Sequence, residues 1–187
     1  MAVCDTPQAV TRHERERQAH GTSLWLAPEP PCRDHFRAVI RALAGRLGTV
    51  PFEPHVTLLA GLPGEPERVA ERASGLAAEL HPLALRWRGP RHEPEYFRAV
   101  FLQVEPSEAL LAAHERAARH FGRSPDAAFF PHLSLVYAHL SEDLAAGLCA
   151  DLGLDHLECL ATSLEVVHTQ GPPEDWRVVG SFSLRPQ

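Results

Sequence analysis

Two octapeptides carry the chemistry that this chain offers: Pro54-His55-Val56-Thr57-Leu58-Leu59-Ala60-Gly61 and Pro131-His132-Leu133-Ser134-Leu135-Val136-Tyr137-Ala138, which match in residue type at their first six positions. Strand side chains alternate, so His55 and Thr57 share one face while Val56 and Leu58 take the other. His132 and Ser134 oppose Leu133 and Leu135 in the same way. Two imidazoles brought together move protons in both directions, one neutral ring taking a proton from water while a protonated ring gives one to a leaving oxygen. Two hydroxyls beside them can hydrogen-bond the non-bridging oxygens of a phosphate and steady its pentacoordinate transition state. Together these groups suit phosphodiester cleavage without a metal.

The spacing His-x-Ser/Thr occurs twice more, at His20 to Thr22 and at His139 to Ser141. Those copies lack the proline and the apolar alternation, and they read as the start of a strand and as a helix cap, Ser141 standing three residues before Leu144. The competing zinc reading is weak, because neither motif brings a carboxylate or cysteine to its two histidines. No metal or cofactor is expected at the pair.

The elements that must position these residues follow from periodicity. TSLWLA, 22–27, suits a strand, and Phe36, Val39, Ile40, Leu43 and Leu47 recur at helical spacing. After the first motif comes a helix over 65–80, with Val69, Ala73, Leu76 and Leu80 on one stripe, and then a strand over 83–87. The second half repeats this order: strand 97–105, helix 107–121, the second motif, helix 141–152, and closing strands over 157–168 and 176–184. The repeat, with no regular βαβ rhythm and no glycine fingerprint, predicts an α+β fold of two pseudo-symmetric lobes, spanning 21–187. Residues 1–20 are polar and read as a mobile extension or one short helix outside the core.

Composition narrows the function further. The 187 residues include 18 basic side chains, all arginine, so phosphate-loop nucleotide hydrolases and lysine Schiff-base enzymes are excluded. A formal charge of −6 disfavours an extended nucleic-acid surface. The four cysteines show no Cys-x-x-Cys spacing and read as thiols of an intracellular protein. With no membrane-length apolar run and no secretory signal, the expected location is the cytoplasm and no membrane partner is expected.

With both motifs in hand, the chain resembles the two-histidine (2H) phosphoesterase superfamily, in its cyclic phosphodiesterase branch, over about residues 22–184. SLWLAPEP is similar to that family's opening strand and YFRAVFLQVE to the strand that starts its second half. The resemblance implies a bilobal α+β fold with the motifs lining a central cleft. It also implies metal-independent hydrolysis of cyclic phosphates, typically nucleoside 2′,3′-cyclic phosphates to 2′-phosphates, or ADP-ribose 1″,2″-cyclic phosphate. Carried over, His55 and His132 are the proton-transfer pair, with His132 as the base for water and His55 as the acid, and Thr57 and Ser134 bind phosphate. Tyr137 matches a family tyrosine that orders phosphate or water, although strict alternation puts it on the face away from His132.

For the base or ribose, Trp25 is the preferred stacking residue. Aligning Trp25 with Gln103 adds Ser23, Phe101 and Gln103 to the expected cleft faces. Trp176, His92 and the arginines 86, 88, 91 and 98 are weaker candidates; His92 and the arginines read first as a solvated turn. The expected substrate is a small cyclic-phosphate nucleotide. An RNA 3′ end, as in 2′–5′ RNA ligase-like enzymes, or a cyclic oligonucleotide is the alternative within the same chemistry. The alternative of another class is a non-catalytic nucleotide or RNA-end binding module, which would not require a matched acid and base.

Overall fold

A computed structural model describes residues 11–154 and 158–186. Its seven strands form one antiparallel sheet with a branch, in the order β2-β1-β6-β3-β4-β5, with β7 also pairing β6. The strands are β1 (Thr22–Pro28), β2 (Val56–Leu62), β3 (Leu83–Arg91), β4 (Val100–Val104), β5 (His132–Val136), β6 (Glu158–His168) and β7 (Arg177–Ser183). The outermost strands β2 and β5 approach each other, so the sheet is nearly closed.

The sequence repeat is present, but its halves are not the lobes. The first unit runs β1, α2 (Pro30–Leu47), β2, α3 (Pro66–Glu79) and β3; the second runs β4, α4 (Glu108–His120), β5, α5 (Glu142–Asp151) and β6. Each unit gives its last strand to the other lobe: β6 pairs β1 along its length, and β3 pairs β4. Between the lobes, β3 and β6 pair through Leu83↔Ala161 to Arg86↔Glu158. The remaining length of that β6 edge, from Ser163 to His168, is taken by β7. The helices cross over as well, α2 lying against β5 and α4 against β2.

Local sequence explains the boundaries. Pro30 and Pro31 end the approach from β1 and form the first turn of α2, where a missing N–H costs nothing. Gly48 ends that helix at φ 66°, in the left-handed region that glycine occupies freely. Ser107 and Ser141 cap α4 and α5, accepting from the backbone N–H of Leu110 and Leu144. β1 is buried at all seven positions because it has strands on both edges and packing on both faces.

Residues 11–20 carry α1 (Arg12–Glu16), which buries no residue and starts with a Thr11–Glu14 capping box. Beyond it Ala19 bridges Gly171, and Arg17 donates to the Tyr96 hydroxyl and to Glu174. Residues 1–10, the rest of the expected extension, lie outside the described residues. No described helix is long and apolar enough to cross a membrane.

The reading of the cysteines as separate thiols is corrected. Cys32 on α2 and Cys159 on β6 form a disulfide across 127 residues of sequence, with Cα atoms 6.2 Å apart. No short spacing could reveal a pair assembled by the fold. Disulfides persist in oxidising surroundings, so the cysteines no longer support a cytoplasmic location. Cys149 is a free thiol, and Cys4 lies outside the described residues.

One backbone position couples β1 to the rest of the site. Gly21 has φ 71°, its carbonyl accepts from the Thr169 N–H, and a Cβ placed there would meet the Leu62 carbonyl oxygen at 2.5 Å. Gly21→Ala should therefore lower stability by more than about 1 kcal/mol, through both strain and the clash. The check is the denaturant midpoint, with Gly45→Ala, which has open space around it, as the comparison.

Candidate active site

The residue before each motif histidine is a proline, and the residue before that supplies an anchor. The His55 ring nitrogen Nδ1 lies 2.7 Å from the Glu53 carbonyl oxygen, and His132 Nδ1 lies 2.9 Å from that of Phe130. A carbonyl only accepts, so Nδ1 carries the proton in both rings and each Nε2 keeps its lone pair. Proline biases the preceding residue toward extended backbone, which helps aim its carbonyl at the ring two positions on. The same three-residue device thus sets the same tautomer in both lobes.

Both rings open onto one cleft of about 250 Å³ between the lobes. Thr57, Ser134, Ser23, Trp25, Tyr137, Phe97, Thr169 and Trp176 share its wall with them. Behind this wall Val56, Leu58, Leu133 and Leu135 are buried in the core, as alternation requires. His114 on α4 braces the arrangement: its ring accepts the Asp126 N–H, in the loop leading to His132, and donates to the Leu58 carbonyl on β2.

Burial governs the electrostatics. His55 is 6% exposed, and desolvation, with a smaller contribution from the neighbouring His132, pushes its pKa down to about 3. His132 is shifted down as well, chiefly by burial and then by the charge of Arg98. Both imidazoles are therefore neutral in the free protein near neutral pH. Burial also pushes the Tyr137 phenol up, so it keeps its proton and remains a donor.

The hydroxyls differ between motifs. Ser134 donates to the Phe97 carbonyl at 2.7 Å, so its proton must swing away before it can reach a phosphate oxygen. Tyr137 sits one residue past the end of β5, and this early end frees it from alternation, letting it face the cleft beside Ser134. Its ring stacks on Phe52 at 3.7 Å between centroids.

Trp25 lines the cleft, but it stacks face to face on His55, with centroids 3.5 Å apart and planes 6° apart. One of its faces is thus taken by the imidazole. The expected alignment of Trp25 with Gln103 is off by two residues: Trp25 pairs with Thr57, and the equivalent partner of Ser134 is Phe101. Neither Phe101 nor Gln103 lines the cleft. Phe101 is fully buried with its ring against Phe130 and His132, and Gln103 turns its amide oxygen to Arg91. The register thus gives each motif histidine an aromatic neighbour from the adjacent strand.

Of the four arginines bunched near the turn, only Arg98 lines the cleft, where it pairs with Glu93 and Glu95. Arg86 and Arg88 pair with Glu158 and Glu105 at the surface. His92 is half-buried away from the cleft, beside Pro90 and Cys149. Sequence reasoning missed Phe97 and Thr169 and underweighted Trp176. Thr169 follows β6 outside any motif, and its hydroxyl lies 2.9 Å from that of Ser23.

An α+β sheet closed around paired, identically anchored histidines defines a 2H phosphoesterase. Residues 20–184 match the family described as "Cyclic phosphodiesterase-like protein", and the chain belongs to that family; it is a phosphodiesterase. It is 27% identical over 176 residues to the cyclic phosphodiesterase of Arabidopsis thaliana, covering 88% of this chain and 95% of that protein. In fold it resembles the TT0787 protein of Thermus thermophilus, with a TM-score of 0.61 at 20% identity over 89% of this chain and 99% of the other. It also resembles Escherichia coli LigT solved with 3′-AMP, with a TM-score of 0.56 at 12% identity over 90% and 99%.

The low pKa of His55 makes stability depend on pH. Once unfolded, the ring titrates near 6.5, whereas folded it titrates at about 3. Between these values the unfolded chain binds more protons, so stability is complete above about 6.5 and declines as pH falls, by up to about 1.4 kcal/mol per pH unit. His132 contributes in the same direction. Denaturant unfolding near pH 7 and near pH 5 should register this loss. His55→Asn, which can keep the bond to the Glu53 carbonyl but cannot take the proton, should flatten it; equal pH dependence in both proteins would sink the assignment.

Proposed function

We propose that the protein hydrolyses a small cyclic phosphodiester, a nucleoside 2′,3′-cyclic phosphate to the 2′-phosphate or ADP-ribose 1″,2″-cyclic phosphate, with no metal at the reacting phosphate. The observation that carries this reading is the pair of histidines anchored through Nδ1 in the same way, with both rings and the motif hydroxyls facing one cleft. Its volume suits a cyclic phosphate and its sugar better than a folded RNA.

In this reading His132 Nε2 takes a proton from water as the oxygen attacks phosphorus, and His55 gives a proton to the ester oxygen that leaves. Both rings are neutral in the free site, so the acid acquires its proton together with the substrate, whose negative charge offsets the desolvation of an imidazolium. Thr57 and Ser134 donate to the non-bridging oxygens, Ser134 after releasing the Phe97 carbonyl. Tyr137, held protonated, orders the same phosphate or the attacking water. Trp25 positions His55 with one face, and Trp176 and Phe97 offer aromatic surface to the nucleoside. The Arabidopsis relative's name supports a cyclic phosphodiester as substrate, and the LigT structure with 3′-AMP supports a ligand of mononucleotide size.

Hydrolysis of a panel of nucleoside 2′,3′-cyclic phosphates and ADP-ribose 1″,2″-cyclic phosphate, in EDTA and with products resolved as 2′ or 3′ esters, tests this reading. Turnover should persist in EDTA and fall at least about a hundredfold in His55→Ala and in His132→Ala. Residual activity should lose the acidic limb of its pH profile in His132→Ala and the basic limb in His55→Ala; the opposite pattern reverses the two roles. Activity untouched by either substitution would remove the site assignment. Turnover only of RNA ends or cyclic oligonucleotides would move the substrate class, and saturable binding without any turnover would make the cleft a binding module.

Ser134→Ala and Thr57→Ala should each lower kcat by roughly tenfold to a thousandfold, the range expected when a donor to developing charge is lost. A change confined to KM would assign the hydroxyl to ground-state binding instead.

A further inference from the structure

Away from the cleft, three metal-ligand side chains converge from two distant segments of the chain. His13 and Glu16 stand three residues apart, on one face of α1, and His139 lies three residues past the end of β5. Glu16 Oε2 is 3.5 Å from His139 Nε2 and 3.9 Å from His13 Nδ1. One ligand atom from each residue lies within 4.8 Å of the other two, and no other such group of three converges among the described residues.

The Glu16–His139 separation is close to that of donors around an ion, and the wider His13 separation requires that exposed ring to move inward on binding. Direct hydrogen bonds between nitrogen and oxygen run about 2.7–3.2 Å. A tetrahedral zinc with bonds of about 2.0–2.1 Å holds its donors about 3.4 Å apart. Glu16 is also prepared on its other side: Arg12 Nε donates to Oε1 at 2.7 Å, leaving Oε2 toward the two rings. His13 and His139 are exposed and Glu16 is half-buried, so a fourth position is open to water.

We propose that His13, Glu16 and His139 form a binding site for a borderline divalent cation such as Zn²⁺. Two imidazoles and one carboxylate are the donor set that suits such a cation. None of the three lines the histidine cleft, so the ion takes no part in the reaction proposed there. Its effect is mechanical: it ties α1 to the segment following the second motif. The same arm reaches the cleft through Ala19, which lines it and pairs with Gly171. Sequence reading could not find this site, because His13 and His139 lie far apart in the chain, before β1 and after β5, and neither falls in a metal motif.

The test uses the full chain, stripped of metal and exchanged into chelator-free buffer near neutral pH, and titrated with Zn²⁺ against a chromophoric competitor. The expected result is a Zn²⁺ site whose affinity falls at least about tenfold in His139→Ala and in Glu16→Gln. His35→Ala, an exposed histidine on α2, should leave it unchanged. Zn²⁺ should also slow tryptic cleavage after Arg12 and Arg15 in the native chain but not in His139→Ala, a readout that needs the ion to bridge both segments. All three substitutions are at solvent-accessible side chains, and circular dichroism checks that the variants keep their fold. Absence of binding, binding that survives His139→Ala, or binding lost in His132→Ala instead would overturn the proposal.

Discussion

The cleft depends on one short stretch of strand pairing, four residues of β3 against four of β6. Each of these strands ends one sequence unit and builds the lobe of the other, so the two lobes are interlocked rather than merely docked. Domains joined by a linker move relative to one another by default, because few contacts cross between them. Here backbone hydrogen bonds cross the divide, and α2 and α4 each pack on the motif strand of the opposite unit. A pair of histidines carried on two such lobes keeps its separation without a bound ligand, which is what preorganisation of an acid and a base requires.

The same logic fastens the individual ring. Arg33, in the first turns of α2, donates to both oxygens of the buried Glu165 on β6 and reaches Glu53, while Arg37 adds further bonds to Glu53. These arginines hold the Glu53 carboxyl below the usual carboxylate range, Arg37 contributing most. The backbone carbonyl of the same residue orients His55. Buried pairs of this kind give little net stability, since desolvation offsets much of the attraction. Their value here is positional. Cys32, adjacent to Arg33, ties the same turn covalently to Cys159 on β6, so the residue before Pro54 is referenced to the centre of the sheet by two independent routes.

Sequence made the local devices legible and hid those that folding assembles. The two proline-histidine octapeptides, the strand alternation behind them, the helix stripes and the Ser141 cap all depend on neighbours within a few residues, and the structure has them. The exchange of β3 and β6 could not be read, because a repeat of element order is the same whether the last strand stays or crosses. The slip from Phe101 to Gln103 has a similar cause: register is set by pairing across strands, and a shift of two residues keeps every side chain on its expected face. The Cys32–Cys159 bond, Thr169 and the His114 brace unite residues dozens to more than a hundred positions apart. Even the proline of each motif was legible only as a marker; that it sets a carbonyl for the histidine beyond it is visible in three dimensions alone.

Aromatic packing shapes the electrostatics of a site built without lysine. Trp25 covers one face of His55, and Phe101 lies edge-on to His132, each ring coming from the strand beside its motif. Such contacts remove water from the imidazole and disfavour its charged form, which is why burial is the leading cause of both lowered pKa values. A permanently cationic cleft would bind phosphate strongly in substrate and product alike, lowering KM without raising kcat. Here the cation nearest the motif histidines on the cleft wall is Arg98, and Glu93 and Glu95 already pair with it. In the proposed reaction, positive charge is held back as a proton that an imidazole accepts when an anion arrives. In that proposed reaction its appearance is coupled to the substrate and its departure to the leaving oxygen, which makes the site least attractive to anions when it is empty.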